Sequence, residues 1–131
     1  MIEQHTILII DDDSFLLDMY ALRFTQAGYS VDTALSAESA LEKLKSGLKP
    51  AVILMDIMMP GMDGFELLEK INTEHLADNA IKVYLSNRGQ ASDIARSEEL
   101  HADGYLIKAN IIPTDVVTHV EGIITKKLTA Q

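Results

Sequence analysis

The 131-residue chain contains no cysteine, which excludes disulfide staples and any metal site built on thiolates. Long apolar runs are missing too. The longest, such as Ile7–Ile10 and Ala51–Met55, extend four or five residues, against the roughly 20 that a membrane-spanning helix needs. Basic residues are scarce: 11 Lys and Arg against 20 Asp and Glu give a formal net charge of −9 and a pI near 4.7. A surface this acidic repels phosphate backbones, so direct nucleic-acid binding by this chain is not expected. Its one adjacent basic pair, Lys126 and Lys127, falls where cations favourably end a last helix. The opening Met1–His5 lacks the basic-then-apolar pattern of a secretory leader. A cytoplasmic protein is the expectation.

Apolar residues make up 47% of the chain and charged ones 24%, the profile of a soluble globular protein. The length suits one domain with its own core. Five strand candidates, Thr6–Ile10, Ser30–Leu35, Ala51–Ile57, Lys82–Ser86 and Gly104–Ile107, alternate with five amphipathic stretches. The first, third and fourth are nearly all apolar, as parallel strands covered on both faces require. The first helical stretch carries Leu17, Tyr20, Phe24 and Ala27 on one face and stops at Gly28. Ser36 is a good N-cap for the second, whose buried side holds Ala40, Leu41 and Leu44 before Gly47. Phe65, Leu67, Leu68 and Ile71 mark the third. The fourth, Ala91 to Leu100, has the weakest pattern, with Ile94, Ala95 and Leu100 as its apolar positions. The last opens at Pro113–Thr114 and carries Val116, Val117, Val120, Ile123 and Ile124; so many β-branched residues lower helix propensity, leaving packing to hold it. This alternation predicts an α/β fold in one domain, a doubly wound five-stranded parallel sheet in the flavodoxin-like order 2-1-3-4-5.

In such sheets ligands bind beyond the carboxyl ends of the strands, at the switch point between the first and third. The residues just past those ends carry the chemistry. The first strand runs into Asp11, Asp12 and Asp13, the third into Asp56, the fourth into Ser86 and Asn87, and the fifth into Lys108. One lysine cannot offset three converging carboxylates, whereas a hard divalent cation can; Mg²⁺ binds through one or two carboxylates, waters and phosphate oxygens. A hydroxyl and an ammonium on the same rim are donors suited to phosphoryl oxygens. Together the set suits phosphoryl transfer to a carboxylate. Each residue also has an ordinary role: Asp13 or Ser14 as a helix cap, Ser86 as a turn residue, Lys108 as a surface cation. Asp56 resists such a reading, because an acid ending a buried strand is costly to desolvate without a partner.

The segment Ile7–Asp13 resembles the opening of the receiver domains of bacterial two-component response regulators. Asp56-Ile57-Met58-Met59-Pro60-Gly61-Met62-Asp63-Gly64 is similar to their phosphorylation loop, and Ala102–Lys108 to their fifth strand with its switch aromatic. Ser86 lies 30 residues and Lys108 52 residues beyond Asp56, spacings like those of the chemotaxis receiver. The resemblance implies that Asp56 accepts a phosphoryl group from a sensor histidine kinase, a phosphotransfer protein or a small acyl phosphate. It implies Mg²⁺ held by Asp12 directly, Asp11 largely through water, Asp56 and the carbonyl of Met58, with Lys108 on the phosphoryl group. Ser86 and Tyr105 would be the switch pair, and the fourth helix, fifth strand and fifth helix the face for a downstream partner, an output domain or a homodimer. The implied protein is a switch with only self-phosphorylation and autodephosphorylation as chemistry.

The chain departs from the family pattern at Ala109, where a proline after a cis peptide is usual. A cis bond before a non-proline residue costs ~2.5–4 kcal/mol, so the bond is trans or packing must hold it. Asn87 replaces a small residue beside the switch hydroxyl, and His101 a common loop glycine. Met58 and Arg88 occupy positions where the family tunes phosphoryl lifetime. Met55, Met58, Met59 and Met62 read as core and loop filling, and His5, His75, His101 and His119 lack zinc-site spacing. Two rival functions stay open. One is a haloacid dehalogenase-type phosphatase using Asp11-Asp12-Asp13, opposed by Phe15 and by the absence of a paired acid on a strand after Lys108. The other is a pseudo-receiver that keeps the fold as a binding scaffold. A flavodoxin is disfavoured because the acidic first turn repels a cofactor phosphate.

Overall fold

A computed structural model describes residues 5–129. Strands β1 (Thr6–Ile10), β2 (Ser30–Ala34), β3 (Val52–Met55), β4 (Ile81–Ser86) and β5 (Gly104–Ile107) pair in parallel in the order β2-β1-β3-β4-β5. Helices α1 (Ser14–Gln26), α2 (Ala37–Lys45), α3 (Gly64–Thr73), α4 (Ala91–Glu99) and α5 (Val116–Thr129) fill the crossovers, giving the doubly wound arrangement expected from the alternation.

Side chains of each central strand alternate between two cores. Ile7, Ile9, Val52, Leu54, Val83 and Leu85 meet Leu17, Tyr20 and Phe24 of α1 and Val116, Val120 and Ile124 of α5. Leu8, Ile10, Ile53, Met55 and Tyr84 meet Ala37, Ala40, Leu41 and Leu44 of α2 and Phe65, Leu67, Leu68 and Ile71 of α3. Burial of each such aliphatic side chain stabilises by about 1.5–3 kcal/mol, enough to fix the register and hence the positions of the strand ends.

Helix starts follow the capping chemistry. Asp13, rather than Ser14, caps α1 by accepting from the amides of Phe15 (3.0 Å) and Leu16 (3.1 Å). Ser36 caps α2 through the Ser39 amide at 3.1 Å. Asp63 and Glu66 form a reciprocal capping box on α3.

Several expectations need correction. β3 ends at Met55, so Asp56 and Ile57 are buried loop residues rather than strand. β2 ends at Ala34, because Leu35 turns outward and is 53% exposed. Ala27 is exposed, standing as the C-cap of α1 outside its buried stripe. Pro113–Asp115 is a single 3-10 turn, and α5 proper begins at Val116.

The largest departure is in α4. Its inward positions hold Asp93 and Ser97, with Leu100 at the C-cap; Ala95 is exposed and Ile94 only half-buried. Ile94 and Ala95 stand one and two positions past Asp93, off the inward face, whereas Leu100 lies on it as expected. Tertiary partners for Asp93 decide the rotation instead.

Candidate functional site

The register Ile10↔Met55 sets the next residues, Asp11 and Asp56, side by side at the switch point. The Asp56 amide donates to the Ile10 carbonyl at 3.0 Å, fixing the loop that bears it. Gly64 allows that loop to fold back: a Cβ there would lie 2.2 Å from the Asp56 carbonyl oxygen. The Tyr84 hydroxyl donates to the Gly64 carbonyl at 2.7 Å and pins the loop from below. Carboxylate oxygens of Asp11, Asp12 and Asp56 all lie within 4.8 Å of one another. From the end of β5, Lys108 reaches across β4, and its Nζ donates to Asp11 Oδ2 at 2.8 Å and Asp56 Oδ2 at 3.0 Å. No cis peptide occurs among the described residues; Lys108 is thus aimed at the acids through a trans bond to Ala109.

Electrostatics follow from this crowding. Burial pushes the Asp11 carboxyl up from its ordinary range, partly offset by hydrogen bonds from Lys108 and the Asp13 amide, while the Asp56 charge adds to the rise. Burial alone would lower Lys108, but the Asp11 hydrogen bond and the charges of Asp56 and Asp11 outweigh it and hold the ammonium above its usual value. One cation shared by two buried carboxylates, with a third beside them, leaves excess negative charge. The donor set fits a hard divalent ion, since every candidate ligand is an oxygen and neither nitrogen nor sulfur takes part.

The free lone pairs sort the acids. Asp11 is occupied on both oxygens, by the Asp13 amide at 2.9 Å and by Lys108. Asp56 accepts from the Ile57 amide at 2.7 Å and from Lys108. Asp12 is exposed, and among the described residues no protein donor occupies its carboxylate. Met58 turns its side chain outward, 61% exposed.

Ser86 and Tyr105, the expected switch pair, make no hydrogen bond to the acids. Ser86 is buried at the end of β4, but its hydroxyl makes no hydrogen bond to Asp56; it accepts from the Arg88 amide at 3.2 Å. Tyr105 is half-buried, and its hydroxyl donates to the Arg88 carbonyl. Asn87, beside Ser86, is exposed. His101 takes φ 64°, the left-handed conformation that explains why glycine suits that turn.

Two contributors escaped the sequence reading. Glu38 of α2 accepts from the Met62 amide at 3.2 Å and steadies the loop after Asp56 from 24 residues away, a separation at which no local pattern signals the contact. Asp93 pairs with Arg88 at 2.7 Å.

A doubly wound sheet with this acid–lysine rim defines a class of protein, the aspartate-based phospho-acceptor switch. The chain matches the family model described as response regulator receiver domain over residues 7–121, and it belongs to that family. It is 33% identical over 103 residues to transcriptional regulatory protein AfsQ1 of Streptomyces coelicolor, covering 79% of this chain and 44% of that protein. The alkaline phosphatase synthesis transcriptional regulatory protein PhoP of Bacillus subtilis is 29% identical over 120 residues, 92% of this chain and 48% of PhoP. A CheY-like receiver domain protein from Methanospirillum hungatei JF-1 superposes with TM-score 0.84 at 26% identity, covering 98% of this chain and 99% of that one. The chain spans about half the length of the curated relatives it matches. Nothing in the geometry or the comparisons favours the phosphatase or the scaffold. No helix among the described residues is long and apolar enough to cross a membrane.

Proposed function

We propose that Asp56 is the phosphoryl acceptor and that Lys108, Asp11 and Asp12 equip it for transfer. The observation that carries this reading is the Lys108 ammonium bridging Asp56 and Asp11 at 3.0 and 2.8 Å. An Asp56 carboxylate oxygen attacks phosphorus; the new P–O bond forms as the P–N bond of a kinase or phosphotransfer-protein phosphohistidine breaks. The imidazole nitrogen keeps the bonding pair. With a small acyl phosphate the leaving group is a carboxylate, and attack of water on phosphorus later breaks the new P–O bond, releasing inorganic phosphate and the free Asp56 carboxylate. Lys108 exchanges a carboxylate for a phosphoryl oxygen and neutralises part of its charge. Asp12, with both oxygens free, would hold Mg²⁺ directly; Asp11, already occupied, would act through water, and Asp56 and the Met58 carbonyl would complete the protein ligands. Bound there, Mg²⁺ offsets the charge of the acids and the transferring group.

The response is a population shift. Ser86 moves to donate to a phosphoryl oxygen, and Tyr105 turns into the space released. Partners, an output segment or a second copy read the change on α4, β5 and α5. The acidic surface of this chain supports reading any DNA contact as the work of a separate segment.

Intact-mass analysis after incubation with acetyl phosphate and Mg²⁺ tests the chemistry. One phosphoryl adduct is expected in the wild type, none in Asp56→Ala, and none after chelation of the metal. Lys108→Ala is expected to slow adduct formation roughly 10²- to 10³-fold. An adduct persisting in Asp56→Ala, or sustained turnover of p-nitrophenyl phosphate, would refute the assignment.

A further inference from the structure

Arg88 touches Ser86, Tyr105 and helix α4 at once. Its amide donates to the Ser86 hydroxyl at 3.2 Å, its carbonyl accepts from the Tyr105 hydroxyl, and its guanidinium donates to Asp93 of α4 at 2.7 Å. The guanidinium also lies 5.8 Å from the ring centroid of Phe65 on α3, which fixes its direction. Few other contacts hold α4 at that end. No side chain caps its N-terminus, and Ser97 spends its hydroxyl on the Ile94 carbonyl of its own helix at 2.7 Å. The opposite end is pinned: Leu100 is buried, its carbonyl accepts from Asn72 Nδ2 at 2.8 Å, and the left-handed His101 ends the helix.

We infer that Arg88 is a positioning residue, a tie rod that hands the displacement of Ser86 and the 87–90 loop to the N-terminal end of α4 through Asp93, with Leu100 as the pivot. The inference rests on the phospho-acceptor reading of Asp56. Drawing Ser86 towards a phosphoryl group pulls the Arg88 backbone with it, so either the Arg88–Asp93 pair breaks or α4 follows. Asp93 is buried, 5% exposed, and among the described residues Arg88 is the one cation paired with it. Breaking the pair would leave a buried carboxylate without a partner, a penalty that rivals the whole gap between two switch conformers. Rotation of a helix that buries no apolar side chain at its N-terminal end costs less. The pair therefore holds, and α4 swings.

The test is amide NMR of the chain titrated with beryllofluoride and Mg²⁺, in wild type, Arg88→Ala, Arg88→Lys and Asp93→Ala. In the wild type, shifts are expected at Ile57, at Ser86 and along Ala91–Glu99. In Arg88→Ala the Ile57 shift should persist, while those of Ala91–Glu99 fall below half their wild-type size. Arg88→Lys, which keeps a cation for Asp93, should recover part of the loss, a rescue that a merely structural role would not give. Asp93→Ala should match Arg88→Ala; if it does not fold, the two Arg88 variants decide alone. Undiminished α4 shifts in Arg88→Ala would overturn the tie rod while leaving Asp56 as acceptor. No Ile57 shift in the wild type would overturn the acceptor reading and the tie rod with it.

Discussion

Helices α2 and α4 are each nine residues long and pack on the same face of the sheet, yet they are attached by different physics. α2 starts from a serine that satisfies an orphan amide and buries Ala37, Ala40, Leu41 and Leu44. α4 starts from Gln90 with no side-chain cap, and its inward positions are Asp93 and Ser97. Apolar burial is non-directional and distributed, so α2 is gripped along its whole length. An ion pair acts at one point and in one direction. Apart from the long, exposed Arg96–Glu69 contact to α3, α4 is tied by Arg88–Asp93 and by Leu100, a sparser attachment than that of α2. What separates the two helices is the side-chain sequence facing the sheet.

Truncation of buried side chains should divide the two most sharply. Leu44→Ala in α2 is expected to cost about 2–4 kcal/mol in urea unfolding, the range for an aliphatic side chain deleted from a packed core. Ile94→Ala in α4, where the residue is half-buried, should cost less than about 1 kcal/mol. Equal losses would abolish the distinction. Capping gives the next effect. Ser36→Ala should cost about 1 kcal/mol, whereas Gln90→Ser supplies a missing acceptor and should stabilise by up to about 1 kcal/mol. If Gln90→Ser also damps the beryllofluoride shifts of α4, the weak N-terminus is part of the switch. Unchanged shifts would make it incidental.

The same contrast explains what the sequence made legible. Strands β1, β3 and β4 declare themselves because both faces are buried, so nearly every residue is apolar, although the apolar run of β3 continues past its end into the buried Ile57. Four side chains of the site, Asp11, Asp12, Asp56 and Lys108, were readable because parallel order turns strand ends into neighbours. The facing of α4 was hidden, since Asp93 points inward only to meet a guanidinium from the preceding loop. Ala27 was misplaced for a smaller reason: its spacing fits the stripe of α1, but the helix has ended there. Glu38 could not be found at all, because its role depends on α2 lying beside the 57–63 loop. Periodicity reports apolar contact with a core. It is silent about polar contacts between elements.

The pinned end of α4 yields the smallest and most specific effect. The Lys82 backbone holds Asp103 just beyond that end: its amide donates to Asp103 Oδ2 at 2.9 Å, and its carbonyl accepts from the Asp103 amide at 2.7 Å. The Lys82 side chain takes no such part. Among the described residues its Nζ finds only the Asp78 carbonyl, at 3.4 Å, while Lys127 occupies the other Asp103 oxygen at 2.8 Å. Burial lowers the Lys82 ammonium below its usual 10.5 despite the opposing charges of Asp103 and Asp78. A cation whose folded value is depressed binds fewer protons when folded, so its charge opposes folding at neutral pH. That cost fades as pH rises through the folded value towards 10.5. Lys82→Met should therefore be neutral to stabilising at pH 7, by up to about 1 kcal/mol, and should flatten this part of the alkaline stability profile. Because the substitution leaves both backbone bonds to Asp103 intact, the pivot survives and the beryllofluoride shifts of α4 should match the wild type. A Lys82→Met variant that loses those shifts would show that the pivot depends on the ammonium rather than on Leu100 and the backbone.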